Sequence, residues 1–67
     1  DLIIEKDGFL YPVEIKKSAR PNIDMAKHFS VLSKIPGKTV STGCIICQCE
    51  KQHYLSENIL ALPIEFI

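Results

Sequence analysis

The sequence has no tryptophan, one methionine and no net charge, because eight acidic side chains balance eight basic ones. A neutral chain lacks the excess of lysine and arginine with which many proteins bind nucleic acid non-specifically. No apolar run approaches the roughly 18 residues of a membrane-spanning helix, and no segment reads as a signal peptide or lipidation motif. We therefore expect no membrane partner.

Cysteine is scarce and confined to one short segment, where Cys44, Cys47 and Cys49 follow one another closely. An odd number of crowded cysteines is not a disulfide framework, so we predict a reducing, cytoplasmic location. Together with His53 the three cysteines suggest a zinc site. Residues three apart on a strand point to opposite faces, however. We therefore expect no zinc, and buried or half-buried thiols instead.

The length of 67 residues allows one small domain at most, and a chain of this size buries only about 60% of its unfolded surface. Nevertheless 46% of the residues are hydrophobic and the mean hydropathy is +0.12. We expect an apolar face that another surface covers, which includes the possibility of a homo-oligomer. Because the chain opens on Asp1 and an apolar run, we interpret residues 1–67 as a single domain fragment whose native start lies upstream.

The order of elements is predicted as β-β-α-β-(β)-β, a mixed α/β sheet with a β-hairpin, a crossover helix and further strands. Strands are expected at residues 2–5, 9–17, 43–49, 53–55 and 59–62. Asp7-Gly8 is a strong hairpin signal, and Pro12 predicts an edge position or an unpaired N–H group in the second strand. A helix is expected over residues 23–34, capped by Asn22, with Ala26, Phe29, Leu32 and Ile35 turned inward.

The hairpin turn predicts the register, in which the numbers of paired residues sum to 15, so that Lys6 faces Phe9 and Asp1 faces Glu14. Side chains then alternate between two faces. We predict that the core face carries Leu2, Ile4, Phe9, Tyr11, Val13 and Ile15. The opposite face carries Asp1, Ile3, Leu10, Pro12, Glu14 and Lys16.

Asp1 and Glu14 are thereby predicted to project side by side, with about 5 Å between their Cβ atoms, and Lys16 lies further along the same face. Directly opposed carboxylates repel each other unless a cation lies between them. Carboxylate oxygens suit Mg²⁺ or Mn²⁺, which can clamp a phosphodiester, while a lysine stabilises the developing charge. The alternative is that Lys16 only neutralises its neighbours on a solvated face.

Two further groups of polar residues have weaker signals. Lys17, Ser18 and Arg20 follow the Glu14 strand and have the chemistry to touch a phosphate backbone, although a solvated strand end is the more frequent explanation. His28 falls on the predicted polar face of the helix, where we expect a surface histidine.

Asp1-Leu2-Ile3-Ile4-Glu5 followed by Glu14-Ile15-Lys16 resembles the D…(D/E)xK signature of the PD-(D/E)xK, restriction-endonuclease-like superfamily. The segments DLIIEKDGFLYPVEIKKSARP, FSVLSKIPGK, GCIICQC and NILALPIEFI resemble, more closely, one domain of uncharacterised function. It follows a AAA-type P-loop ATPase in many bacterial and archaeal proteins. The resemblance spans nearly all 67 residues.

The resemblance implies a truncated restriction-endonuclease-like core, with Asp1 and Glu14 in the metal-ligand positions and Lys16 in the position of the catalytic lysine. It also implies Mg²⁺ or Mn²⁺ as the cofactor, and an N-terminal ATPase domain and nucleic acid as partners. The opening helix of such a core does not occur in these residues, so we expect the isolated fragment to be inactive. The implied activity is phosphodiester hydrolysis. The alternative is a non-enzymatic binding, regulatory or oligomerisation module of the ATPase.

Overall fold

Six strands form one mixed sheet in the computed structural model, which describes residues 2–66. The strands are β1 (Leu2–Lys6), β2 (Phe9–Ile15), β3 (Thr39–Val40), β4 (Gly43–Cys47), β5 (His53–Ser56) and β6 (Ile59–Pro63). Their order is β1-β2-β4-β6-β5, and β3 pairs with β2. Strands β2, β4 and β6 run parallel, whereas β1 and β5 run antiparallel to their neighbours. The predicted mixed α/β sheet is confirmed, although the two-residue strand β3 was not expected.

The hairpin between β1 and β2 has the predicted register, with Lys6 opposite Phe9 and Leu2 opposite Val13. Its two turn residues both have positive φ, 53° at Asp7 and 85° at Gly8. Such a turn matches the twist of the two strands, and aspartate followed by glycine adopts it readily. The turn chemistry therefore determines which residues of β1 and β2 share a face.

The prediction of the core face was wrong. Leu10, Pro12 and Glu14 are buried, whereas Phe9 remains 43% exposed. The hairpin register determines which side chains share a face, but the segment between β2 and β4 determines which face is covered. That segment packs over the face of Leu10 and Glu14, because its Ala26 is buried in the same core cluster as Ile45 of β4.

Pro12 does not lie on an edge strand, since β2 lies between β1 and β4. Alternation in the hairpin points the backbone nitrogen of Pro12 away from β1, because Ile3 and Pro12 form a non-hydrogen-bonded pair. On that side β3 pairs only as far as Leu10 and β4 begins pairing at Val13. The proline therefore occupies the gap between two ladders, where no N–H group is required.

The predicted crossover helix is present as two short 3₁₀ segments, Ile23–Ala26 and Phe29–Lys34, rather than as one α-helix. Asn22 caps the first, as predicted, because its Oδ1 accepts a hydrogen bond from Asp24 N at 3.0 Å. In the second, the Ser33 hydroxyl donates to the Ser30 carbonyl at 2.7 Å. Such side-chain bonds to the preceding turn compete with α-helical backbone bonds and favour the tighter form.

The core lies between these helical segments and the covered face of the sheet. Ile45 and Ala61, at the centre of β4 and β6, have no exposed surface, and Cys47 is almost fully buried. Met25 and Phe29 pack against this cluster from the helical side. The expected apolar helix side is thus confirmed for Ala26 and Phe29, whereas Ile35 is exposed.

The opposite face of the sheet is apolar and open. Along it lie five large side chains that are each between 43% and 63% exposed: Leu2, Ile4, Phe9, Ile15 and Tyr54. Strand pairing places them on one face, together with half-buried Val13, Cys44 and Leu60. Parallel strands are normally covered on both faces. The uncovered apolar surface expected from the composition is therefore present.

Candidate functional site

Glu14 is the one charged side chain among the buried residues that the structure describes. It lies near the end of β2 and pairs with Ile45 of β4, so that its neighbour on the covered face is a fully buried isoleucine. Only 8% of Glu14 is exposed. Burying a carboxylate costs free energy unless a cation or hydrogen-bond donors compensate it. The strand register thus holds an acidic group where packing alone would favour an apolar one.

Lys16 supplies a partial counter-charge to this carboxylate, since its Nζ lies 3.9 Å from Glu14 Oε2. The backbone of Lys16 is held in place because its N–H donates to the Ile46 carbonyl at 2.9 Å. The lysine side chain is 45% exposed, so water screens the pair and its contribution to stability is small. The structure therefore brings the predicted Glu14 and Lys16 together and leaves the carboxylate incompletely neutralised.

The carboxylate opens into a groove of about 290 Å³ between the hairpin and the helical segments. Ile3, Pro12, Phe29 and Leu32 supply its apolar wall, and His28 is the second titratable side chain along it. A ligand from solvent can therefore reach Glu14 through this groove.

The prediction of a surface histidine at His28 is confirmed. This residue was expected on the solvated face of a continuous helix, and it is indeed exposed, but it also lines the groove that contains Glu14. It lies at the junction of the two 3₁₀ segments, just before the second one begins. The available sequence signal for two separate segments was the pair Ser30 and Ser33, whose hydroxyls donate hydrogen bonds to backbone carbonyls of the preceding turn.

Asp1, the second predicted metal ligand, lies outside the described residues, so its predicted pairing with Glu14 stays a prediction. Within residues 2–66, no three His, Cys, Asp or Glu side chains are grouped closely enough to hold a metal ion. Mg²⁺ is commonly bound through one or two carboxylates, with water and substrate phosphates as the other ligands. A buried carboxylate that opens into a groove fits that requirement with Glu14 as one ligand.

The three cysteines carry free thiols, with Cys44 half-buried and Cys47 and Cys49 buried. Burial raises the pKa of Cys44, and the nearby Cys47 raises it further. Burial also raises the pKa of Cys49, as do its side-chain hydrogen bond to Cys47 and the charge of that neighbour. The prediction of buried or half-buried thiols is confirmed. Protonated thiols are poor nucleophiles and poor metal ligands.

The residues that follow β2 line two other pockets on the surface, away from the Glu14 groove. Arg20 lines a wide pocket of about 530 Å³ with Lys51 and His53, and Lys17 lines a neighbouring one. The Ser18 hydroxyl accepts a hydrogen bond from Arg20 N at 3.1 Å, which fixes the local turn. These predicted phosphate-contacting residues are thus separate from the Glu14 groove.

Comparison with known proteins identifies one family. The family model described as "Domain of unknown function (DUF4143)" matches residues 1–67, the whole chain, so the chain belongs to this family. No curated protein and no solved structure matches it. Among the helices of residues 2–66, none has the length and apolar character that crossing a membrane requires.

Proposed function

We propose that this DUF4143 domain is the C-terminal, nuclease-like part of a P-loop ATPase and that it hydrolyses phosphodiesters with Mg²⁺ or Mn²⁺. The observation that supports the proposal is the burial of Glu14, with Lys16 Nζ 3.9 Å from its Oε2 and a groove open to its carboxylate. A strongly buried acidic group in a cleft is a functional-site candidate, because packing alone does not account for it.

In this proposal Glu14 and Asp1 hold the metal ion, and Lys16 stabilises the attacking water or the charge that develops on the phosphate. When bound, the metal ion polarises the phosphate and lowers the pKa of a coordinated water. Glu14 is well suited to its part because the pairing of β2 with β4 holds its backbone and the residue is almost fully buried. The Lys16 side chain is 45% exposed, so its ammonium can also be reached by substrate from solvent.

The test uses the full-length polypeptide that contains this chain, incubated with DNA and RNA in Mg²⁺, in Mn²⁺ and in EDTA. We expect metal-dependent cleavage that Glu14→Gln and Lys16→Ala each reduce by about 100-fold or more. Glu57→Gln, in the exposed turn between β5 and β6, is the matched control and should leave the rate unchanged. Equal cleavage by the Glu14 variant, or no cleavage by the wild type with either metal, would contradict the proposal.

The second candidate function is a non-enzymatic binding or oligomerisation module, and the open apolar face of the sheet favours it. Exposed apolar patches beyond a few hundred Å² usually mark interaction surfaces. In light scattering, Ile4→Thr combined with Ile15→Thr should lower self-association while leaving the Glu14 groove intact. Ile23→Thr combined with Val31→Thr changes exposed apolar residues of the helical segments instead and serves as control. A wild type that stays monomeric at high concentration would count against oligomerisation.

The proposed location is the cytoplasm. Three free thiols within six consecutive positions, residues 44–49, support it, because disulfides persist in oxidising compartments and closely spaced free cysteines are more typical of a reducing one.

A further inference from the structure

The carboxyl ends of β2 and β4 meet at one edge of the sheet, and the segments that follow them are bonded to each other. Gln48 N donates to the Ser18 carbonyl at 2.7 Å, and Lys16 N donates to the Ile46 carbonyl at 2.9 Å. The cations carried by the two segments are therefore held close in space although they are far apart in sequence. In open α/β sheets, ligands commonly bind outside the carboxyl ends of parallel strands.

A pocket of about 530 Å³ lies at this edge. Arg20 lines it from the segment after β2, and Lys51 and His53 line it from the segment after β4 and the start of β5. Glu50 is the one acidic side chain along its wall. The chain as a whole is neutral, so this local concentration of cationic groups does not follow from overall charge.

His53 is oriented by its backbone neighbour. Its Nδ1 lies 2.8 Å from the Lys51 carbonyl oxygen, and because a carbonyl only accepts, Nδ1 must carry a proton and donate it. In the neutral ring Nε2 then accepts a hydrogen bond, as from water, and offers no donor to a phosphate oxygen. The bond also closes the short loop that carries Lys51, which restrains the two residues relative to each other.

We infer that this pocket is a phosphate-binding site, in which Arg20 and Lys51 hold a backbone phosphate of a nucleic acid strand. The inference rests on the proposed phosphodiester chemistry and extends it, because the pocket shares no lining residue with the Glu14 groove. Arginine binds two phosphate oxygens with its planar guanidinium, and lysine adds a mobile point charge. A contact remote from the scissile phosphate positions the strand without reading its sequence.

The test measures binding of a fluorescent oligonucleotide to the full-length polypeptide by anisotropy, in EDTA so that no cleavage occurs, over a range of salt concentrations. Arg20→Gln combined with Lys51→Gln should weaken binding about tenfold and lower the salt dependence by about one counter-ion for each lost contact. The control pair is Lys6→Gln and Lys34→Gln, two cations outside this pocket, because Lys6 pairs with Phe9 at the start of β2 and Lys34 ends the second 3₁₀ segment. It should change the affinity by less than about twofold.

Inorganic phosphate distinguishes the two sources of the ligand. We expect phosphate alone to shift the amide resonances of residues 18–20 and 51–53 only at high concentration, whereas the oligonucleotide shifts them at its binding affinity. Tight binding of free phosphate, with no oligonucleotide binding, would assign the pocket to small anions and overturn the inference. Equal losses of affinity in both variant pairs would overturn it as well.

The cleavage assay keeps this inference separate from the proposed activity. Glu14→Gln should abolish cleavage and leave oligonucleotide affinity within about twofold. If the wild type cleaves and the Arg20 and Lys51 variant binds normally, the phosphate site is wrong and the nuclease proposal survives. If nothing is cleaved and that variant still loses affinity, the phosphate site stands and the nuclease proposal fails.

Discussion

The ring of Phe29 lies directly against the backbone of Gly43, where a methyl group would come within 2.6 Å of ring atoms Cδ2 and Cε2. Gly43 opens β4 on the covered face, and Phe29 is the aromatic side chain of the second 3₁₀ segment that also lines the Glu14 groove. The glycine is thus required for close approach, since its backbone has no positive φ. This contact positions the helical segments over the sheet.

Gly43→Ala is therefore expected to lower the free energy of unfolding by about 1–3 kcal/mol, because overpacking at this contact forces the Phe29 ring aside. Urea unfolding followed by circular dichroism would measure the change. Phe29→Leu in the same background should recover part of the loss, giving a coupling energy in a double-mutant cycle. Strictly additive effects of the two substitutions would argue against the contact.

The turn at Asp7-Gly8 makes a second prediction. Gly8 has φ of 85°, which alanine adopts only with strain, so Gly8→Ala should cost about 1 kcal/mol or more. Asp7→Asn should be neutral or stabilising, because asparagine tolerates positive φ at least as well as aspartate. Thermal unfolding of the two variants gives the comparison. A stable Gly8→Ala variant beside a destabilised Asp7→Asn variant would contradict the assigned turn.

The burial of Glu14 makes a third prediction, which concerns stability rather than activity. If the carboxylate is retained for function, replacing it with an apolar residue of similar length removes a desolvation cost. Glu14→Leu is then expected to raise the free energy of unfolding by about 1 kcal/mol. Ile45→Ala, its neighbour on β4, should instead lower it by roughly 2–5 kcal/mol. If Glu14→Leu were as unstable as Ile45→Ala, the carboxylate would be needed for stability, and this prediction would be contradicted.

The cysteines make a fourth prediction, for pH dependence. The pKa values of Cys44 and Cys49 are raised, chiefly by burial, so the folded protein disfavours the thiolate. Their contribution to stability is full below the ordinary thiol pKa and falls as pH rises through that value toward the folded pKa. Unfolding measured between neutral and alkaline pH should show this decline. Cys44→Ser combined with Cys49→Ser should flatten it, and an unchanged slope would contradict the assignment.

The same shift predicts slow alkylation. In the folded protein, iodoacetamide should label Cys44 at a higher pH than it labels a free cysteine, because only the thiolate reacts. Urea should restore ordinary labelling, and mass spectrometry would locate the modified residue.

The hairpin illustrates what short-range chemistry determines. Asp7 and Gly8 determined the turn, and the turn determined the register of every pair from Lys6 with Phe9 to Leu2 with Val13. The turn does not determine which face of the hairpin is covered, because that depends on where the residues between β2 and β4 pack. The pattern of β2 favoured the other face, which carries Phe9, Tyr11, Val13 and Ile15, whereas the covered face carries Leu10, Pro12 and Glu14.

The candidate site was anticipated in part. The spacing of Glu14 and Lys16 on one strand brought them to the same place, and their separation of 3.9 Å agrees with that expectation. The burial of Glu14 differs from the prediction, which placed this residue on the face opposite the core. The surface position of His28 agrees with the prediction, whereas its place along the groove does not follow from the continuous helix predicted over residues 23–34, which is interrupted just before His28.

The gap in strand pairing at Pro12 divides the sheet into two parts of unequal local stability. On one side, the hairpin is joined to the rest through β3 and the last residues of β2; on the other, β4 and β6 pair along five residues each. In native-state hydrogen exchange, the amides of β4 and β6 should therefore be the last to open, and those of β1 among the first. Glu14 stands at the boundary between the two, so partial opening of the hairpin would uncover its carboxylate while the rest of the sheet remained folded.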